Sequence, residues 1–198
     1  MQEPTPPNHI PVKSMSKTRI IAFIAVYSAL CISTNYVMLP LLNIKLMDTF
    51  VFVAGFSLGI IPGIVVANIT WLIYGTLNPL GFSLPTLLSV MIGESCYAIV
   101  GWMVSRYMSR KKNLFSIESS IIFGLAGLLA TLAYDVFTNA VTGWLFYNSI
   151  VIGLLTMNFP LPMGLLHEIS NLILFAVVSP LLLRAFKIFW KGDNSEFQ

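Results

Sequence analysis

The sequence predicts an all-α membrane protein with six transmembrane helices in one compact bundle and both termini in the cytoplasm. Of its 198 residues, 57% are hydrophobic and only 10% are charged, whereas about a quarter of an average soluble domain is charged. The mean hydropathy is +0.83. The lysines and arginines lie between long apolar runs, as membrane topology requires. We therefore expect a lipid bilayer, and not nucleic acid, to account for the net charge of +3.

Four spans follow directly from hydropathy, because an apolar helix needs about 20 residues to cross a membrane. They cover about residues 20–39, 84–106, 117–143 and 164–188, and the last three are continued through Glu94, Asp135 and Glu168 respectively. The polar, proline-rich residues 1–18 are predicted to be a mobile cytoplasmic tail, and residues 191–198 a second tail. Residues 19–190 then form a single transmembrane domain.

Residues 49–77 need a separate argument, because one helix of this length would extend roughly 43 Å, too long for an untilted crossing. Gly55, Gly59, Pro62 and Gly63 lie in the middle and predict a break. We expect two short spans joined by a tight turn around Pro62. Such short spans are tolerated where neighbouring helices cover them.

The distribution of cations decides the number of crossings, since cytoplasmic loops concentrate lysine and arginine. Six crossings leave only Lys45 outside, whereas five would place eight cations outside and three inside. The outer connections are then about residues 40–48, 78–83 and 144–163. The ten cytoplasmic cations are Lys13, Lys17, Arg19, Arg106, Arg110, Lys111, Lys112, Arg184, Lys187 and Lys191.

Three acidic residues, Glu94, Asp135 and Glu168, lie inside the predicted spans. A charged side chain at the bilayer centre costs about 2.5 to 3.5 kcal/mol on insertion scales, so each is a functional candidate. Helical rise places all three in the outer half of the membrane, and each has a polar neighbour three or four residues later. These neighbours are Tyr97, Asn139 and Asn171. We expect one outward-facing polar cavity; the alternative is that these groups hydrogen-bond between helices and only fix packing.

Trp71, Tyr74 and Asn78 share a helical face that leads to the outer mouth of the third span,. They predict aromatic contacts with a substrate, or alternatively an interfacial aromatic belt. His167 starts the segment HEISN, which lacks the second histidine of a zinc-protease motif,. It is a candidate ligand contact or a solvated residue at a helix start.

The sequence lacks a nucleophile elbow, a phosphate-binding loop and a carboxylate-rich metal motif. Cys31 and Cys96 lie in apolar runs and predict neither a disulfide nor a metal site,. We therefore expect no enzymatic activity, no cofactor and no ATP hydrolysis by this chain alone.

The segments NIKLMDTFVFVAGFSLGIIPGIVVANITWLIYGTLNPLGFSLP and MIGESCYAIVG, followed by YDVFTN and HEISNLILF, resemble the S components of energy-coupling factor (ECF) vitamin transporters. The resemblance covers about residues 20–190, including the short second and third spans. It implies a six-helix membrane subunit that binds a vitamin or vitamin precursor near its outer face. The implied partners are a transmembrane coupling protein and two cytoplasmic ATPases.

Members of this family commonly dock the coupling protein through small residues spaced as AxxxA in the first helix. Ala25 and Ala29 match this spacing and Ala22 lies nearby, so the resemblance implies docking on this face. Small residues also serve ordinary helix packing. The alternatives to an S component are a transporter working alone, a membrane enzyme using Asp135 or Glu168 as acid or base, and a scaffold subunit.

Overall fold

The computed structural model describes residues 15–41, 43–79, 81–110, 113–158 and 163–194. The predicted tail up to residue 14, Lys111, Lys112 and residues 195–198 lie outside these ranges. Within them the chain forms seven α-helices and no strand. The helices are α1 (Lys17–Val37), α2 (Met47–Leu58), α3 (Ile60–Thr76), α4 (Leu84–Tyr107), α5 (Ile117–Tyr147), α6 (Ile150–Asn158) and α7 (Met163–Asn194).

Four of these helices are long and apolar enough to cross a membrane: α1, α4, α5 and the Gly164–Ile188 part of α7. The prediction of an all-α membrane fold is confirmed at this level. The helices extend beyond the predicted spans, because α5 continues to Tyr147 and α7 to Asn194. The shorter apolar helices α2 and α3 occupy the stretch for which a break was predicted.

The break between α2 and α3 is present, but it lies at Gly59 and not around Pro62. Gly59 has a φ of 100°, a conformation open to glycine and costly for other residues. Pro62 lies in the first turn of α3, where a helix makes no use of the missing N–H. The predicted turn around Pro62 is therefore wrong in position, because proline is well accommodated at a helix start.

The outer connection predicted at residues 144–163 also contains regular structure. Helix α5 extends to Tyr147, Asn148 adopts a left-handed conformation with φ 52°, and α6 begins at Ile150. A Cβ atom on Gly153 would meet the backbone of Asn139 and Gly143. Helices α5 and α6 therefore pack backbone against backbone, which composition alone did not indicate.

Helix α2 lies at the centre of the bundle and contacts α1, α3, α4 and α7. Every residue from Met47 to Gly55 is buried. Two glycines allow α2 and α4 to approach closely, because a Cβ on Gly55 would meet the carbonyl of Ala98 and one on Gly101 would meet that of Phe52. The short α2 is thus covered by protein along this stretch, as a short span in lipid requires.

Gly101→Ala tests this close approach. The added methyl group would meet a backbone carbonyl, which no rotamer change can relieve, so we expect a loss of about 1 to 3 kcal/mol in stability. The measurement is thermal unfolding of the purified chain in detergent. Met103→Leu, on the exposed face of α4, is the control, and equal melting temperatures for both variants would contradict the packing.

Candidate functional site

Three buried ionisable side chains meet where α2 and α7 begin. The ring of His167 lies between two carboxylates, with Nε2 2.9 Å from Oδ2 of Asp48 and Nδ1 3.0 Å from Oδ1 of Asp135. His167 and Asp48 are 1% and 2% exposed, and Asp135 is 7% exposed. We call Asp48, Asp135, His167 and Asn171 the acid–histidine cluster.

Asn171 joins this cluster to α4 and α5. Its Nδ2 donates to Oδ2 of Asp48 at 2.7 Å and to the hydroxyl of Thr131 at 2.8 Å. The Tyr97 hydroxyl donates to Thr131 at 3.2 Å, and Thr131 in turn donates to the carbonyl of Gly127. Helices α2, α4, α5 and α7 therefore share one hydrogen-bond network inside the bundle.

The geometry around His167 determines the charge of the cluster. Ionised carboxylates only accept hydrogen bonds, and a neutral imidazole carries a single N–H. Both ring nitrogens face carboxylate oxygens, so both contacts are hydrogen bonds only if an additional proton is present on the ring or on one carboxyl. In either form the three groups together carry one negative charge.

A second group of side chains lies beside this network, at the ends of α1 and α3. The indole N–H of Trp71 donates to Oε2 of Glu94 at 3.1 Å. Tyr74 packs edge-on against both Trp71 and Tyr36, with ring centroids 5.8 and 5.3 Å apart. We call Tyr36, Trp71 and Tyr74 the aromatic set. The ammonium of Lys45 lies 5.3 Å from the centre of the Trp71 ring, within the range of a cation–π contact.

A cleft of about 380 Å³ opens beside Trp71, between the end of α3 and the start of α4. Its volume falls in the range typical of small-molecule sites. Most of the cleft is apolar, with polar groups on one part of the wall. The lining residues used below are Trp71, Asn78, Phe82, Ser83 and Thr86.

Several buried polar atoms near these groups have no hydrogen-bond partner within the described part of the chain. Glu94 is 1% exposed, and its Oε1 is unpartnered although its Oε2 accepts from Trp71. The amide oxygens of Asn171 and Asn35 are also unpartnered. The two amide oxygens can only accept hydrogen bonds, and Oε1 of Glu94 accepts them when its carboxyl group is ionised.

The structure brings most of the predicted site residues together in two neighbouring groups. The first group is the acid–histidine cluster with Tyr97, and it contains the predicted residues Tyr97, Asp135, His167 and Asn171. The second group is the aromatic set, which contains the predicted residues Trp71 and Tyr74, together with Glu94, which accepts a hydrogen bond from Trp71. Asn78 lines the cleft. Asp135 is hydrogen-bonded to His167, and that Glu94, Asp135 and Glu168 face one shared cavity stays a prediction.

Two predicted residues lie at the margin of this arrangement. Glu168 is half-buried and makes no hydrogen bond with any described residue, although it lies within electrostatic reach of Asp135 and His167. Asn139 is half-buried on α5, one turn beyond Asp135, where α5 packs against α6.

Sequence reasoning missed Asp48, Thr131 and Lys45 as members of the site. Asp48 was assigned to an outer connection, because the following uncharged stretch begins at residue 49. In the structure it lies in the first turn of α2 and is buried. Thr131 precedes Asp135 by four residues, so its place on the same helical face was a signal that could have been used.

The small residues of α1 lie on the face directed away from the bundle. Ala22, Ala25 and Ala29 are exposed, while the buried residues of α1 are Tyr27, Ser28, Cys31 and Asn35. The AxxxA face is therefore not used for packing within the described chain.

The site offers hydrogen-bonding and charged groups to a bound molecule. Within the described ranges, no three His, Cys, Asp or Glu side chains are arranged to hold a metal ion. Both nitrogens of His167 are already engaged by carboxylates, so the ring has no free nitrogen with which to take a proton from a substrate.

Comparison of the chain with protein-family models, with curated proteins and with solved structures finds no match.

Proposed function

We propose that the chain is the substrate-binding membrane subunit of an ATP-driven, ECF-type importer, and that it captures a small vitamin or vitamin precursor near the outer face of the cell membrane. The observation that carries the proposal is the buried polar interior next to a cleft, to which α2, α3, α4, α5 and α7 all contribute. Burying this many polar and ionisable groups is costly in a membrane. Unpartnered acceptors in such an interior favour a role in binding over a role in packing alone.

The proposed topology has six crossings, with α2 and α3 as two short ones. At about 1.5 Å per residue, the 12 residues of α2 and 17 of α3 would extend roughly 18 and 26 Å,. The acid–histidine cluster and the aromatic set then lie in the outer half of the bilayer. The distribution of cations, with Lys45 alone outside, supports this orientation and cytoplasmic termini.

The topology predicts which side of the membrane two loop residues face. In a background lacking Cys31 and Cys96, Asn113→Cys should react with a membrane-impermeant thiol reagent from the cytoplasmic side only. Asn148→Cys should react from the outer side only, because α5 crosses between them. Labelling in intact cells and in inverted vesicles measures this, and reaction of both cysteines from the same side would contradict six crossings.

The proposed partners are a transmembrane coupling protein, docked on the Ala22, Ala25 and Ala29 face of α1, and two cytoplasmic ATPases. Exposure of this face supports docking, because small residues let helices from different subunits approach closely in lipid,. The partners would supply ATP hydrolysis, for which the sequence carries no motif.

Mass spectrometry of small molecules released from the purified, denatured chain tests the binding role. We expect one compound in roughly stoichiometric amount, absent from a sample of an unrelated membrane protein purified in the same way. If the chain releases no compound, and binds none from extracts of its own cells, it is not a substrate-binding subunit.

A further inference from the structure

We infer that the substrate is a small organic cation with at least one N–H donor, whose charged group is bound by Glu94 and the ring of Trp71. The inference rests on the proposed function and specifies the chemical class of its substrate. In the structure described, the ammonium of Lys45 lies over the Trp71 ring. Lys45 occupies the place that the substrate's cation takes when it binds.

Glu94 has one buried oxygen without a hydrogen-bond partner among the described residues. A buried carboxylate oxygen without a donor is costly, and native proteins satisfy nearly all such atoms. Oε2 of Glu94 accepts a hydrogen bond from the Trp71 indole, which fixes the carboxyl group in place, while Oε1 is buried without a partner among the described residues. An N–H group of a bound molecule would complete its hydrogen bonds.

Acidic side chains predominate around this position. Asp48, Asp135 and Glu94 are three buried acids, and the described cations near them are His167 and Lys45. Glu168 adds a further, half-buried acid within reach of His167. When all of these groups are ionised the acids outnumber the cations, and a positively charged substrate would stabilise that ionised state.

Within the aromatic set, the face of the Trp71 ring is already in contact with a cation, the ammonium of Lys45. The face of a tryptophan ring attracts cations, and this attraction strengthens when water is excluded. Trp71 is 7% exposed, and Tyr74 packs edge-on against it. Lys45 is only half-buried and has a flexible stem, so its ammonium can move to solvent without a change in the backbone.

The cleft beside Trp71 sets the size and shape of the molecule. About 380 Å³ accommodates a single-ring or two-ring heterocycle. Phe82 offers an apolar contact, and Asn78, Ser83 and Thr86 offer polar groups. An organic cation fits these groups better than a metal ion, because no set of three metal-ligating side chains is arranged within the described ranges.

The test compares two probes that differ in charge and little in shape. Benzamidine is a planar aromatic cation with N–H donors, and benzamide is its neutral counterpart. Binding of each to the full-length chain is measured through quenching of Trp71, which is made the sole tryptophan by replacing Trp102, Trp144 and Trp190 with phenylalanine. We expect benzamidine to bind at least about tenfold more tightly than benzamide, as a cation–π contact plus a charged hydrogen bond would provide.

Two variants distinguish a substrate site from a structural contact. Glu94→Gln keeps an oxygen for the Trp71 indole and removes the charge, so it should abolish most of the tenfold preference. Lys45→Gln removes the competing ammonium and should strengthen benzamidine binding several-fold without affecting benzamide. Glu118→Gln, at the opposite end of α5 from this site, is the control and should change neither affinity.

Absence of benzamidine binding, equal binding of the two probes, or weaker benzamidine binding in Lys45→Gln would overturn the inference. Retention of the full charge preference in folded Glu94→Gln would also overturn it. Failure of the inference is separable from failure of the proposed function. If the released compound is neutral or anionic at pH 7, the inference of a cationic substrate fails and the proposed function stands. If the chain binds benzamidine with the expected charge preference but works without an ATPase, the proposal of an ATP-driven importer fails and the inference of a cationic substrate stands.

Discussion

Replacing His167 with alanine should destabilise the folded chain by about 3 to 5 kcal/mol, the cost of removing one partner from a buried ion pair. The substitution leaves Asp48 and Asp135 facing each other in the interior without the ring that now contacts both. Thermal or denaturant unfolding in detergent measures the loss. His9→Ala is a matched control, because His9 is the second of the two histidines in the sequence.

A second substitution tests whether unpaired charge causes the loss of stability in His167→Ala. Asp48→Asn in the His167→Ala background removes one of the stranded carboxylates, so the double variant should be more stable than His167→Ala alone. A double-mutant cycle should give a coupling energy of about 1 kcal/mol or more. Additive effects, or a wild-type melting temperature in His167→Ala, would contradict the cluster as described.

The double substitution Ala25→Leu with Ala29→Leu should weaken assembly with the proposed coupling protein while leaving substrate binding intact. Both alanines are exposed on α1, so added bulk does not disturb the bundle but prevents close approach of another helix. The measurements are co-purification with the coupling protein and binding of the released compound by the isolated chain. We expect the affinity for the proposed coupling protein, measured by co-purification, to fall at least about tenfold. A tenfold fall corresponds to the loss of roughly 1.4 kcal/mol of packing energy.

Ala133→Leu with Ala185→Leu provides the control, since these alanines are exposed on α5 and α7. This control should assemble normally. If the Ala25→Leu, Ala29→Leu variant fails to fold, this face of α1 packs within the chain. If the variant folds and still assembles with the proposed coupling protein, this face is not the docking surface.

The helices could be predicted from the sequence to a large extent, because apolar length and the position of cations follow directly from the physics of the bilayer. The break near residue 59 was predictable from its glycines, but its exact place was not. Both Gly59 and Pro62 interrupt helices in general, and only the backbone shows that Pro62 fits the first turn of α3. Helix α6 was missed because an apolar, aromatic connection and a short helix have similar composition.

Some residues of the site could be predicted from the sequence, but the contacts between them could not. The rule that buried acids are functional candidates found Glu94 and Asp135, and helical spacing found Tyr97 and Asn171. The contact between His167 and Asp48 joins residues 119 positions apart, and no local pattern encodes such a pair. Asp48 also lies at the end of a charged connection in the sequence, so its burial depends on how α7 packs against α2.

The most direct test of the proposed function is uptake by proteoliposomes that contain the chain, the proposed coupling protein and the two proposed ATPases. The compound released from the denatured chain is supplied in labelled form on the outer side. We expect accumulation only with all four proteins and hydrolysable ATP inside, and none with the Ala25→Leu, Ala29→Leu double variant. Uptake by the chain alone, or equal uptake with and without ATP, would contradict the proposal that this protein is the substrate-binding subunit of an ATP-driven importer.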